Sequence, residues 1–287
     1  PDTEIGNRPD NKANSAIYSA MHRMLVRIEY DGTPFVGWQA QENGRSIQHA
    51  LEQAACKLTT QPTSIFGAGR TDAGVHALSQ AAHMDVPAHY DIKAVSMGMN
   101  SYLRDVPISV LSAQSVPSDF HARFDAINRH YKYRILTRRA PASLDEYRVW
   151  QIGNNLNVAA MHQAAQHLVG KHDFTSFRAS HCQAKSPVRT IDKVQVCIEN
   201  EEIHINVSAR SFLHNQIRNI TGTLVQVGKG RWHPDKIIEI LAAKDRQAAG
   251  PTAPPHGLYL TNIIYNDEIE AARPSLAPDP SPQAGLK

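Results

Sequence analysis

Cysteine is scarce in this chain: 287 residues hold only Cys56, Cys182 and Cys197. An odd number with no Cys-x-x-Cys pair argues against a disulfide framework and against a cysteine-built zinc site. Long apolar runs are missing as well. No stretch approaches the roughly 18 consecutive apolar residues that a membrane-spanning helix needs, and residues 1 to 20 carry no apolar core of the kind a signal peptide has. A reducing cytoplasm is the simplest compartment for such a chain. Metal-ligand spacings are absent despite 15 histidines: there is no His-Glu-x-x-His, no His-x-His, and no His-x-Glu followed by Pro-Cys-x-x-Cys, the zinc-deaminase signature. Gly67-Ala68-Gly69 lacks the third glycine of a dinucleotide fingerprint. No excess of one charge sign stands out, since the net charge is only +3. That permits a nucleic-acid partner without demanding one, because a basic face matters more than the total.

What remains is an ordinary globular composition, 41% hydrophobic and 20% charged. Residues 1–20 are rich in Asn, Asp, Pro and Ser and cannot bury enough apolar surface to offset ordering. They read as a disordered extension, and 267–287 as a disordered tail. Between them, Met24–Tyr30 is strand-like. Ile47, Leu51, Ala54, Ala55 and Leu58 recur at helical spacing behind Ser46, a fitting N-cap. Strands are expected at 64–66, 81–86 and 108–116, with a helix over 92–103. The second half repeats the order more loosely. It has a strand at 130–136, a helix at 158–168, a hairpin of 193–198 with 203–207 around Glu199-Asn200-Glu201, helices at 212–227 and 235–243, and a strand at 258–265. The pattern is β-α-β-β-α-β twice, over 21–117 and 118–266. It predicts an α+β fold of two ferredoxin-like, RRM-like halves with a mainly antiparallel sheet and helices on one face.

The most informative segment is Gly69-Arg70-Thr71-Asp72-Ala73-Gly74-Val75-His76. Its glycines permit tight turns and close backbone approach, so Asp72 is a carboxylate held on a loop by a stiff scaffold, where reacting groups tend to sit. Taken alone, such an Asp is usually just an Asx-turn residue. Arg70 adds a fixed positive charge that can grip a phosphate or keep the carboxylate ionised.

This string resembles the active-site motif of the TruA-type tRNA pseudouridine synthases. The resemblance extends in order through Gly37-Trp38-Gln39, Ser46-Ile47-Gln48, Phe120-His121-Ala122-Arg123-Phe124, Arg129-His130-Tyr131-Lys132-Tyr133, Phe174–Ala179, Ile217–Gly222 and Gly257–Leu260. It covers about 24–265 and departs only in detail: Ser46 stands where the family usually has Thr, and His130 where it often has Arg. It implies two such halves with the active site in the cleft between them, and a cofactor-free enzyme without metal. The implied reaction isomerises uridine to pseudouridine at positions 38 to 40 of the tRNA anticodon stem-loop, and the enzyme is a homodimer.

By the same resemblance Asp72 is the nucleophile, Arg218 its partner charge, and Tyr131 the active-site tyrosine that stacks on uracil. Arg70 is the residue that fills the stack vacated by the target base. Phe120, His121, Ala122, Arg123 and Phe124, together with His181, Cys182, Gln183, Ala184 and Lys185, correspond to RNA-contacting segments. Tyr133, two residues from Tyr131 on the same strand face, is set aside only by its place in the motif. A single carboxylate suffices for the chemistry, which breaks N1–C1′ and rejoins the base through C5. Attack on C1′, addition at C6 and elimination of a ribose proton all remain open. The rival reading is a non-catalytic binder of two RRM-like units; no RNP1-like string supports it, and a binder has no need of Asp72.

Overall fold

The computed structural model describes residues 21–39, 44–180 and 182–274; the expected N-terminal extension and the stretch 275–287 lie outside them. Its framework is one ten-stranded sheet. Strand β1 (Met21–Tyr30) runs antiparallel to both β3 (His76–Pro87) and β4 (Ile108–Val116). The two-residue β2 (Phe66–Gly67) pairs with β3. Helices α1 (Ile47–Thr59) and α2 (Ile92–Tyr102) pack against each other. In the second half β5 (Asn128–Leu136) is flanked by β9 (Glu202–Ala209) and β10 (Leu258–Ile264), and β8 (Val188–Glu199) lies beyond β9. Helices α3 (Val158–Gln166), α4 (Gln216–Gly228) and α5 (Lys236–Ala243) complete it, with short edge strands β6 (Trp150–Gln151) and β7 (Gly170–Asp173).

The order β4-β1-β3, with β2 on β3, and the order β10-β5-β9-β8 are the same arrangement twice: fourth, first, third, second. That is the ferredoxin-like topology expected from the element pattern. The two units join where β3 and β10 run parallel, through Tyr259↔His76 and Leu260↔Ala77 only.

Local chemistry accounts for most element boundaries. Ser46 caps α1 by accepting from the His49 N–H at 3.1 Å, as its position before the apolar repeat predicts. Asp91 and Asn157 cap α2 and α3 in the same way. Asn200, at φ +56°, turns the hairpin between β8 and β9.

Three expectations need correction. β3 starts at His76, five residues before the expected strand, because Ser79 and Gln80 interrupt the apolar pattern while being buried. α4 starts at Gln216 rather than at 212. The apolar period runs on through Phe212 and Leu213, but Asn215 takes a left-handed conformation (φ +60°) that ends any helix there. The tail does not begin at 267. Asp267–Ala271 form a short helix α6, capped by Asn266. Arg27 explains it: this fully buried guanidinium donates to Glu270 at 2.9 Å and to the Ile263 carbonyl at 2.6 Å, and it lies over the Tyr265 ring. Ile269 is buried, and its carbonyl accepts from Gln114. Arg27 points to the opposite side of β1 from Val26 and Ile28, so the sheet carries a helix on that face too. No helix among the described residues is long and apolar enough to cross a membrane.

Candidate active site

The loop between β2 and β3 is fixed from several directions, and the motif residues do the fixing. Trp38 N–H donates to the Thr71 carbonyl at 3.0 Å, and Gly37 forms a β-bridge with Asp72. Gly37 has φ +116°, and a Cβ there would sit 2.8 Å from the Thr71 oxygen, so this close approach requires glycine. Asp72 closes a turn through its carbonyl and the Val75 N–H at 3.1 Å, with Gly74 at φ +74°. Thr71 shares a hydrogen bond with the buried Tyr30 hydroxyl at 2.9 Å. Gln80 donates to the Gly69 carbonyl, and Arg129 donates twice to the Ala68 carbonyl, at 2.8 and 3.3 Å. The same Arg129 donates to the carbonyls of Arg123 and Arg210, so one buried side chain ties together three segments around the site.

Asp72 itself keeps a quarter of its side-chain surface open to solvent. Arg218, from the first turn of α4, donates through Nη1 to Oδ2 at 3.2 Å. It is held there by Nε to the Ala253 carbonyl at 2.8 Å and by Nη1 to the Asn215 side chain at 3.0 Å. The two residues lie 146 positions apart in sequence. The other carboxylate oxygen, Oδ1, faces Nε2 of His214 at 3.2 Å. Burial pushes the Asp72 carboxyl up. The hydrogen bond and charge of His214, then the charge and hydrogen bond of Arg218, more than reverse that and leave it below the usual carboxylate range. The His214 imidazole is raised in turn, chiefly by its hydrogen bond to Asp72.

Tyr131 is buried and stands edge-on to Phe212, with ring centroids 5.3 Å apart. Burial pushes its phenol up to about 12, so it is un-ionised at neutral pH. Tyr133 is also buried, but its hydroxyl donates to the Pro254 carbonyl at 2.7 Å, which occupies it structurally.

Asp72, His214, Arg218, Tyr131 and Phe212 line one cleft of about 1240 Å³, built by residues of both halves. Asp72 is its single carboxylate among the described residues, against six arginines: Arg70, Arg123, Arg129, Arg189, Arg210 and Arg218. Arg70 is exposed and makes no ion pair among the described residues, so it is not the group that keeps Asp72 ionised. Of the segment 120–124, His121, Arg123 and Phe124 line the cleft. Phe120 and Ala122 do not: the first packs edge-on to Tyr265, and the second is wholly buried, its N–H bonded to His83. A motif carried over as a block takes core positions along with surface ones. Cys182, Gln183 and Ala184 line the cleft, Lys185 is exposed outside its lining, and His181 lies outside the described residues.

Sequence reasoning missed His214, Arg189, Arg210 and Phe66. The last is half exposed on the cleft wall and stacked on His83 at 5.0 Å. His214 stands four residues before Arg218, but it lies in the loop ahead of α4, so helical spacing gives no signal for it.

The comparisons with known proteins bear directly on this geometry. A family model described as tRNA pseudouridine synthase matches residues 27–125 and 164–266. The tRNA pseudouridine synthase A of Afipia carboxidovorans is 54% identical over 245 residues, 85% of this chain and 100% of that protein. The protein of the same name from Rhodopseudomonas palustris is also 54% identical, over the same shares of the two chains. The one from Rhodospirillum rubrum is 51% identical over 251 residues, 88% of this chain and 90% of the relative. A family match over most of the chain, with relatives above half identity along nearly their whole length, means that this chain belongs to the tRNA pseudouridine synthases.

Proposed function

We propose that this enzyme isomerises uridine to pseudouridine in the tRNA anticodon stem-loop, at positions 38 to 40, with Asp72 as its nucleophile and no cofactor. Isomerisation of uridine in tRNA is the reaction of the family to which the chain belongs. The stem-loop, the role of Asp72, a homodimeric state and a cytoplasmic location extend that reading.

One observation carries the assignment of Asp72. It is the single carboxylate among the described residues of a cleft whose other charged side chains are arginines. The cations suit a polyanionic strand, and two of the cleft's side chains hold Asp72 ionised from both oxygens. The reaction breaks N1–C1′, forms C5–C1′, and exchanges the proton on C5 for one on N1; nothing is oxidised or reduced. An ionised carboxylate with low basicity can add to C1′ or C6 and leave again. Tyr131, an un-ionised ring at the cleft wall, offers a stacking face to uracil.

The test is tritium release from tRNA carrying [5-³H]uridine, with parent and Asp72→Asn compared on the same tRNA. The amide is nearly isosteric, so turnover should vanish while tRNA is still bound. Release within about tenfold of the parent, a loss of only about 1.4 kcal/mol, removes Asp72 from the nucleophile's role.

A further inference from the structure

His214 is the side chain whose position the family reaction leaves unexplained. It lies in the loop Phe212–Asn215 that precedes α4, and this loop is built to present it. Leu213 is buried on one side of it. The His214 carbonyl accepts from the Ala179 N–H at 3.0 Å, which fixes the backbone. Asn215, in the left-handed conformation, turns the chain into α4 and steadies Arg218. The imidazole thus projects into the cleft, about half exposed, with Nε2 at 3.2 Å from Asp72 Oδ1.

We propose that His214 is a positioning residue for Asp72: it grips the outer carboxylate oxygen while Arg218 grips the other, and its grip depends on its own protonation. The proposal rests on Asp72 as the reacting carboxylate. Arg218 is permanently charged, so its hold does not vary with pH. The imidazole can lose its proton in the neutral range. Protonated, it is a charge-assisted donor that fixes the carboxylate's plane and favours its ionised form. Neutral, it can still donate one N–H, and the charge contribution is lost.

The groups facing this pair are few. Asp72 comes from the β2–β3 loop, Arg218 from α4, and the un-ionised Tyr131 from β5. Arg70 and Arg210 line the same cleft without an ion pair among the described residues. The hydrogen bond to Asp72, with the Asp72 charge behind it, raises His214, while burial and Arg218 oppose it, and the balance stays on the raised side. The two sites therefore titrate as a coupled pair. The imidazolium holds Asp72 ionised at acid pH, where an unaided buried carboxyl would take up a proton.

Two measurements test this. The first uses nuclear magnetic resonance on the enzyme without RNA, following the His214 ring against pH in parent and Asp72→Asn. The His214 midpoint should fall by about one pH unit when its anionic partner is removed. An unmoved midpoint overturns the pairing, whatever Asp72 does in catalysis. The second is single-turnover tritium release at saturating tRNA from about pH 3 to pH 8.5, in parent and His214→Asn. The variant's acidic limb should lie about one pH unit higher than the parent's, and the two rates should converge to within about threefold at the alkaline end. A uniform loss at every pH, or an acidic limb that does not move, overturns the positioning role. Full activity in Asp72→Asn would instead sink the nucleophile assignment and leave the resonance result standing.

Discussion

At the scale of single residues, the site is one carboxylate between a guanidinium and an imidazole. A guanidinium can hold both oxygens of a carboxylate with its planar fork. The structure divides the work: Nη1 reaches Oδ2 alone, while Nε and Nη1 spend further bonds on Ala253 and Asn215. Lysine can replace the charge at only one of these three acceptors. Turnover should therefore fall in the order parent, Arg218→Lys, Arg218→Ala. The sign of the pH effect follows from Asp72, which the folded enzyme holds below its ordinary value. Losing a cation raises it, so the acidic limb of the rate profile in Arg218→Ala should move to higher pH. Unlike the deficit expected of His214→Asn, the loss in Arg218→Ala should persist at alkaline pH, because Arg218 does not titrate in this range. Near-parental turnover, or an unmoved acidic limb in Arg218→Ala, would make Arg218 a bystander. Asp72 and Arg218 were legible because each sits in a contiguous, unusual string. His214 was not, because the apolar residues Phe212, Leu213 and Ile217 continue a helical period across a loop and hide the turn at Asn215.

At the scale of elements, periodicity finds long segments and misses short ones. Helices α1 and α2 and strand β4 stand close to where apolar spacing puts them. β6, β7 and α6 have two, four and five residues, too few to show a period. What no periodicity announces is how loops are tied to one another, and here Arg129 is decisive. It is buried on β5, two residues from Tyr131 and so on the same strand face. It finds no carboxylate among its partners, only carbonyls of Ala68, Arg123 and Arg210. Each bond to a charged donor contributes on the order of 1.5–3 kcal/mol, and carbonyls left buried and unpaired cost more. A lysine cannot span three directions at once. Arg129→Lys should lower unfolding stability by at least about 2 kcal/mol in a denaturant titration. It should also lower kcat, since the Asp72 loop and the Arg210 loop lose their common tie. A variant with the parent's denaturation midpoint and kcat would show that the remaining bonds, from Trp38, Tyr30 and Gln80, hold the loop unaided.

At the scale of the whole molecule, the composition says little and the arrangement says much. A net charge of +3 is unremarkable, yet six arginines and one carboxylate meet in a single cleft. The strand order was equally hidden: the doubled element order and the family resemblance supplied two ferredoxin-like halves, but no local pattern announces that β10 lands between β3 and β5. The segregation of charge leads to a prediction about binding. A protein that neutralises phosphates releases condensed counterions, so log Kd should rise steeply and linearly with log salt concentration. Arg123 and Arg210 both line the cleft. Arg123→Ala and Arg210→Ala should each weaken tRNA binding and lower that slope by roughly one unit or somewhat less. Arg138 is the internal control. It is an exposed arginine whose charge is spent on Glu201 at 2.9 Å, and it does not line the cleft; Arg138→Ala should leave the slope where it is. Filter binding of tRNA across a salt series reads all three variants against the parent. If Arg138→Ala flattens the line as much as the cleft variants do, the whole surface collects the RNA and the cleft has no privileged share. If neither cleft variant changes the slope, phosphate contacts lie elsewhere, and the arginines serve the fold and the carboxylate rather than the strand.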